Sequence, residues 1–306
     1  MPSNRSWPVV GYLSSRSAGE SETVVSAFRQ GLSESGYIVG QNVAVEYRWA
    51  QGHYDRLPAL AAELVSLKVA AILAAGGHPS ALAAKKATAT IPIIFSAADD
   101  PVGLGLVESL NRPGGNITGM SVFNATLNAK RLSLLHELVP SAGTIGYLAN
   151  PANPSAQFEL KGLLEAAKTV GADLQVLYAA TIRRLRPHSR DWRSCTPKPS
   201  SWPANHISDS RRAAIVALAA KYAIPASYAW RENVVIGGLL SYGTSIADSY
   251  RNSGVYCGRI LKGEKPGDLP VMQPTKFEMT INLKSAKALR LTIPPTLLTA
   301  ADEVIE

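Results

Sequence analysis

The sequence predicts an α/β fold of two doubly wound, Rossmann-like domains with a hinge and an interdomain cleft. Three observations predict it. Short apolar runs alternate with helical spacings along most of the chain, and this alternation calls for a parallel sheet covered on both faces. The same grammar occurs twice, with a restart near Ser121. The length, 306 residues, suits two cores of ordinary size better than one.

In the first half, residues 9–13 form an apolar run that ends in Ser14-Ser15, a buried strand followed by a polar loop. Residues 23–35 have helical spacing through Val24, Val25, Phe28 and Leu32, and Gly36 is the stop. Strands follow at 43–49, 69–74 and 91–95, and helices at 57–67, 80–88 and 102–110. Gly76-Gly77 ends the third strand, and Pro113-Gly114-Gly115-Asn116 makes a turn. In the second half the spacing predicts helices over 125–138, 155–170 and 211–222. Strands are predicted over 144–149, 174–178 and 225–228.

Hydrophobic residues make up 46% of the chain and charged ones only 18%, as in a well-packed globular protein. No apolar run approaches the ~20 residues that span a bilayer. The opening Met1 to Trp7 has no apolar core of the kind an export signal needs, which implies a cytoplasmic chain or a start further upstream. Cys195 and Cys257 are too few and too far apart for a disulfide framework or a metal site. The net charge of +8 raises nucleic acid as a partner, but its distribution argues against one. Six basic residues against one acid, Asp191, lie between 182 and 206, which holds five of the eight net charges. No basic stripe with interleaved aromatics exists elsewhere.

Ligands of open parallel sheets bind beyond the carboxyl ends of the strands. Ser14 and Ser15 follow the first strand, and Gly77, His78, Pro79 and Ser80 follow the third. Asp99 and Asp100 follow the fourth. The second half supplies Asn150, Tyr228, Glu232 and Tyr242. In the 76–80 loop, two glycines permit close backbone approach and Pro79 suits a first helical turn. The turn's amides and the Ser80 hydroxyl can hold a carboxylate. A tight strand-to-helix turn explains the same residues equally well. His78 has no second histidine or carboxylate at ligand spacing in the sequence, so it fits a pocket-lining or surface role better than a base or a metal ligand. Asp99-Asp100 can be a carboxylate pair, an acceptor for a ligand amine, or, at Asp100, a helix cap. Tyr228 and Trp230 suit either stacking on a ligand or core packing.

Enzyme signatures are weak. No G-x-G-x-x-G follows the first strand, and there is no P-loop, G-x-S-x-G, H-E-x-x-H or paired C-x-x-C. No cofactor is implied and no enzyme is expected. A small-molecule enzyme built on Asp99, Asp100 or His78, and a cytoplasmic ligand sensor of the same fold, are the alternatives.

Several segments together carry a family resemblance: Gly11-Tyr12-Leu13-Ser14-Ser15, Glu46-Tyr47-Arg48-Trp49-Ala50, Asp100-Pro101-Val102-Gly103, residues 110–119, Tyr242-Gly243, residues 258–263, residues 270–277 and residues 301–305. The sequence resembles the ABC-transporter substrate-binding proteins of the tryptophan/tyrosine type over about nine tenths of its length. The resemblance implies a type I periplasmic-binding-protein fold with three crossovers, here near Ser121, Gly243 and Gln273. One lobe then comprises residues 1–121 plus 244–272 and the other 122–243 plus 273–306. It further implies a small ligand, an amino acid or related carboxylate, held in the interdomain cleft by residues that include 77–80, Ser14 and Ser15. Hinge closure, a periplasmic location, and a permease with its ATPase as partners are implied too, with the membrane reached only through the permease.

Residues 182–208 depart from that pattern. Where the family has a helix and an apolar strand, this chain has arginine, proline, serine, tryptophan and histidine without any period. The stretch has the character of a pair of compensating frameshifts, or else of a real irregular insertion. Pro187, Pro197, Pro199 and Pro203 each remove a backbone donor, so the expectation is a loop and a second-domain sheet short of one strand.

Overall fold

The structure, a computed structural model, describes residues 7–122, 124–149, 156–178, 202–204 and 212–306. The chain divides into two compact units. The first comprises Met1–Val122 and Ile246–Pro274, the second Phe123–Ser245 and Thr275–Glu306.

The first unit runs β1 (Val9–Ser14), α1 (Glu22–Glu34), β2 (Ala44–Trp49), α2 (Leu57–Ser66), β3 (Ala71–Ala75), α3 (His78–Ala87), β4 (Ile93–Ala98) and β5 (Ile117–Ser121). The five strands form one sheet in the order β2-β1-β3-β4-β5, and every pairing is parallel. β3 reads Ala-Ile-Leu-Ala-Ala and is buried at every position. A strand covered on both faces has no use for alternation, hence its uninterrupted apolar run. Leu13, Leu64, Ile72 and Phe95 centre the core on one face of the sheet.

On the same unit lies helix α8 (Ile246–Leu261), which packs on α1 with almost no gap. A Cβ on Gly31 would stand 1.8 Å from the Arg251 carbonyl oxygen, and one on Gly254 would stand 2.2 Å from that of Phe28. The two helix backbones touch at these glycines, and no larger residue fits.

The expected helix over 102–110 is not formed. Hydrogen-bonded turns take its place, and Gly105 sits at φ +64 in the left-handed region, which halts helical growth. Leu106 and Val107 are still buried, which accounts for the apolar spacing that suggested a helix.

The second unit runs α4 (Asn124–Leu138), β6 (Thr144–Ala149), α5 (Ala156–Thr169), β7 (Asp173–Tyr178), β8 (Trp202–Ala204), α6 (Arg212–Lys221), β9 (Ala226–Tyr228), α7 (Arg231–Val235) and β10 (Leu240–Thr244). After α8 the chain adds β11 (Phe277–Asn282), α9 (Leu283–Ala288), α10 (Pro295–Ala300) and β12 (Glu303–Ile305). The sheet order is β12-β11-β10-β9-β8-β6-β7. It is parallel except where β11 runs against β10.

The expectation of a missing strand is corrected here. Trp202–Ala204 pairs with β6 through Leu148 and with β9 through Ala226, Ser227 and Tyr228, so the sheet has no gap between them. Pro203 lies inside a central strand. Three residues suffice, because backbone pairing on both sides fixes so short a segment, and one lost donor is tolerated. Residues 182–201 and 205–208 lie outside the described residues.

Candidate functional site

The first sheet reverses its direction of winding between β1 and β3, which pair directly while the chain goes from β1 to β2 on the other side. In such sheets the crevice opens beyond the carboxyl ends of the two strands at the reversal. The residues there are Ser14 at the end of β1 with Ser15 and Arg16 after it, and Gly76, Gly77 and His78 after β3.

These two strand ends are tied together. Ser15 Oγ donates to the Gly76 carbonyl at 2.8 Å, and the Arg16 N–H donates to Ser14 Oγ at 3.1 Å. The Gly76 N–H donates to the Tyr250 hydroxyl at 2.9 Å, which anchors the turn to α8. Gly76 has φ +80, and a Cβ there would meet Ser15 Oγ at 2.4 Å. This glycine is therefore required by the serine beside it. Gly77, at φ +96, is the N-cap residue of α3. His78 and Pro79 open the helix, as the Gly-Gly-His-Pro-Ser spacing implied.

The first turn of α3 is dry. His78 is 3% exposed and Ser80 fully buried. Among the described residues neither His78 Nδ1 nor Ser80 Oγ meets a hydrogen-bond partner. Buried polar atoms without partners are costly and point to something that completes them. Asp99, at the end of β4, brings its carboxylate to 3.7 Å from His78 Nε2, with both side chains nearly closed to water. The Asp99 carbonyl accepts from Ser121 Oγ at 3.3 Å. Ser14, Ser15, His78, Ser80 and Asp99 thus line neighbouring strand ends of one sheet.

Asp100 does not join them. It is exposed, and its Oδ1 accepts from the Gly103 N–H at 2.8 Å, so it caps the turn that replaces the expected helix.

In the second unit the winding reverses between β6 and β8. The chain beyond those two strands, including Asn150, lies outside the described residues. Tyr228 is 1% exposed within the core cluster of Leu148, Val216 and Ile224, and burial pushes its phenol well up. Its ring is core, the second of the two roles the sequence allowed. Trp230 is also buried. Glu232 sits in the first turn of α7, half-buried, with Oε2 unmatched among the described residues. Tyr242 stacks on Phe277, and its carbonyl accepts from the fully buried Arg131 guanidinium at 2.6 Å.

Among the described residues, two arginines that the sequence did not single out are buried. Arg16 directly follows Ser14, the last residue of β1, and Ser15, and Arg131 lies on the inner face of α4 among leucines. Helical spacing could have placed Arg131 on the buried face. Nothing local marks Arg16 as buried.

Among the described residues no group of three or more His, Cys, Asp or Glu side chains could hold a metal ion, and no helix is long and apolar enough to cross a membrane.

A family model described as ABC transporter substrate binding protein matches residues 17–305. The chain belongs to this family. A tyrosine-binding protein of Clostridioides difficile (strain R20291) is 29% identical over 264 residues, covering 86% of this chain and 75% of that protein. A Streptococcus pneumonia ABC domain solved in complex with L-Trp superposes with a TM-score of 0.87 at 25% identity, covering 98% of this chain and all of that one. A conserved domain protein from Vibrio cholerae gives the same TM-score, identity and coverage. The fold is that of the type I periplasmic binding proteins, as the resemblance implied.

Proposed function

We propose that this substrate-binding protein is the solute-binding component of an ABC importer, and that it captures an amino acid or a related carboxylate at the β1, β3 and β4 strand ends. One observation carries the reading: the dry first turn of α3, where Ser80 Oγ is fully buried and unmatched among the described residues. The N-terminal end of a helix carries about half a positive charge and exposed amides, which together favour a carboxylate. Asp99 is the group suited to accept the ligand's ammonium. The tyrosine-binding relative and the L-Trp complex support an amino acid.

The partners on this reading are a permease with its ATPase, and the site of action is outside the cytoplasm.

A thermal-shift screen of the L-amino acids and small organic acids, followed by calorimetry, tests the proposal. A ligand at about 100 times its Kd adds ~2.7 kcal/mol of stability. A chain whose melting temperature no carboxylate raises is not such a binder. His78 and Asp99 stand 3.7 Å apart, longer than a hydrogen bond, and would have to close by about half an ångström to act as an acid–base pair. Chemical change of a bound ligand in the same samples would favour that second reading, whereas unchanged ligand is expected.

A further inference from the structure

Arg16 is only 4% exposed and follows Ser14 and Ser15 at the carboxyl end of β1. Its guanidinium lies over the Tyr250 ring, 5.8 Å from the centroid. That same tyrosine accepts from the Gly76 N–H in the turn that leads into α3. A Cβ on Gly76 would come within 3.3 Å of Arg16 Cγ, so the arginine stem runs against this turn. A cation on a desolvated aromatic face is held in place by the ring. The planar fork of a guanidinium, with five N–H donors, matches a carboxylate two bonds at a time. Two residues beyond Gly76, α3 begins, with its own amides and the buried Ser80 hydroxyl.

We propose that Arg16 is the specificity-determining residue of this site. It takes the ligand's carboxylate together with the first turn of α3, and so restricts the site to molecules with a free carboxylate. The inference rests on the binding function proposed above. Its physical basis is the asymmetry of buried polar recognition: a neutral amide in place of the carboxylate loses the charge and turns N–H groups toward N–H groups. An arginine that only braced the Gly76 turn would weaken every ligand alike. One that reads the carboxylate sets the ratio between acid and amide.

Calorimetry with matched probes measures that ratio. The probes are L-tyrosine and L-tyrosinamide, L-tryptophan and L-tryptophanamide, and the simple acids 3-phenylpropionate and succinate with their amides. The wild-type chain is expected to prefer the best acid over its amide by about a hundredfold. Arg16→Gln is expected to bring the ratio close to one, chiefly by weakening the acid, and Arg16→Lys to leave an intermediate ratio, since a point charge remains without the fork. Circular dichroism and melting temperature establish that the variants fold. Should Arg16→Gln fail to fold, the wild-type ratio and Arg16→Lys decide. Equal wild-type affinity for acid and amide, or an unchanged ratio in a folded Arg16→Gln or Arg16→Lys, overturns the role of Arg16 and leaves the binding function standing. Arg16-dependent binding of a simple acid, with no amino acid bound, upholds Arg16 and overturns the amino-acid reading. If no acid binds, both fall.

Discussion

β3 and β8 hold equivalent places. Each pairs directly with the first strand of its unit, on the side away from the second strand. Yet β3 is five apolar residues, all buried, while β8 is Trp202-Pro203-Ala204. The first follows the rule for a parallel strand covered on both faces. The second breaks it and still pairs on both sides, at three positions with β9 and at one with β6. A sheet position can thus be specified by its own side chains or imposed by its neighbours. Only the first kind is visible in sequence.

The largest expected effect tests the specified strand. Ile72→Ala removes a fully buried side chain from the β3 core, and a loss of about 2–5 kcal/mol in unfolding free energy is expected from denaturant titration. A loss below ~1 kcal/mol would show that the β3 core is loosely packed, like an imposed strand.

Dryness in the first unit is open to a pH test. Cys257 on α8 is fully buried, and burial pushes its thiol from 9.0 up to about 12. The folded chain therefore keeps the thiol neutral where the unfolded chain ionises it. The stability this gives is complete below about pH 9 and is lost as pH rises toward 12. The melting temperature of the parent should fall more steeply across that window than that of Cys257→Ala. Parallel curves would show that water reaches the thiol.

At the site, Ser80→Ala deletes a buried hydroxyl proposed to donate to a carboxylate. About a ten- to hundredfold loss of affinity for the best acid is expected in calorimetry. Unchanged affinity would remove Ser80 from the site and make it a simple packing residue of α3.

The smallest effect concerns the imposed strand. Pro203→Val restores a backbone donor and a β-branched side chain to β8, and a gain of about 0.5 kcal/mol is expected. A clear loss would mean that the proline's fixed φ is itself part of what holds β8 between its neighbours.

Most strands and helices were legible because burial on both faces writes an uninterrupted apolar code, as in β3. The 102–110 helix misled because Leu106 and Val107 are buried from a turn, and apolar spacing reports burial before it reports conformation. In the site, Ser14, Ser15 and the Gly-Gly-His-Pro-Ser turn were legible from their position at strand ends. Asp100 was not separable from Asp99, since adjacent residues at a strand end diverge according to local turn geometry.

The sequence by itself determined the alternating α/β architecture, its repetition, the family and the helix-opening turn after β3, because each is encoded in local spacing. The tertiary structure alone decided three things. It put Arg16 on Tyr250, 234 residues along the chain, where an arginine that looks like surface becomes buried. It set His78 against Asp99 by laying β3 beside β4. It made a strand of Trp202–Ala204, because hydrogen bonds from two neighbouring strands outweigh the poor strand propensity of Pro203 and Ala204.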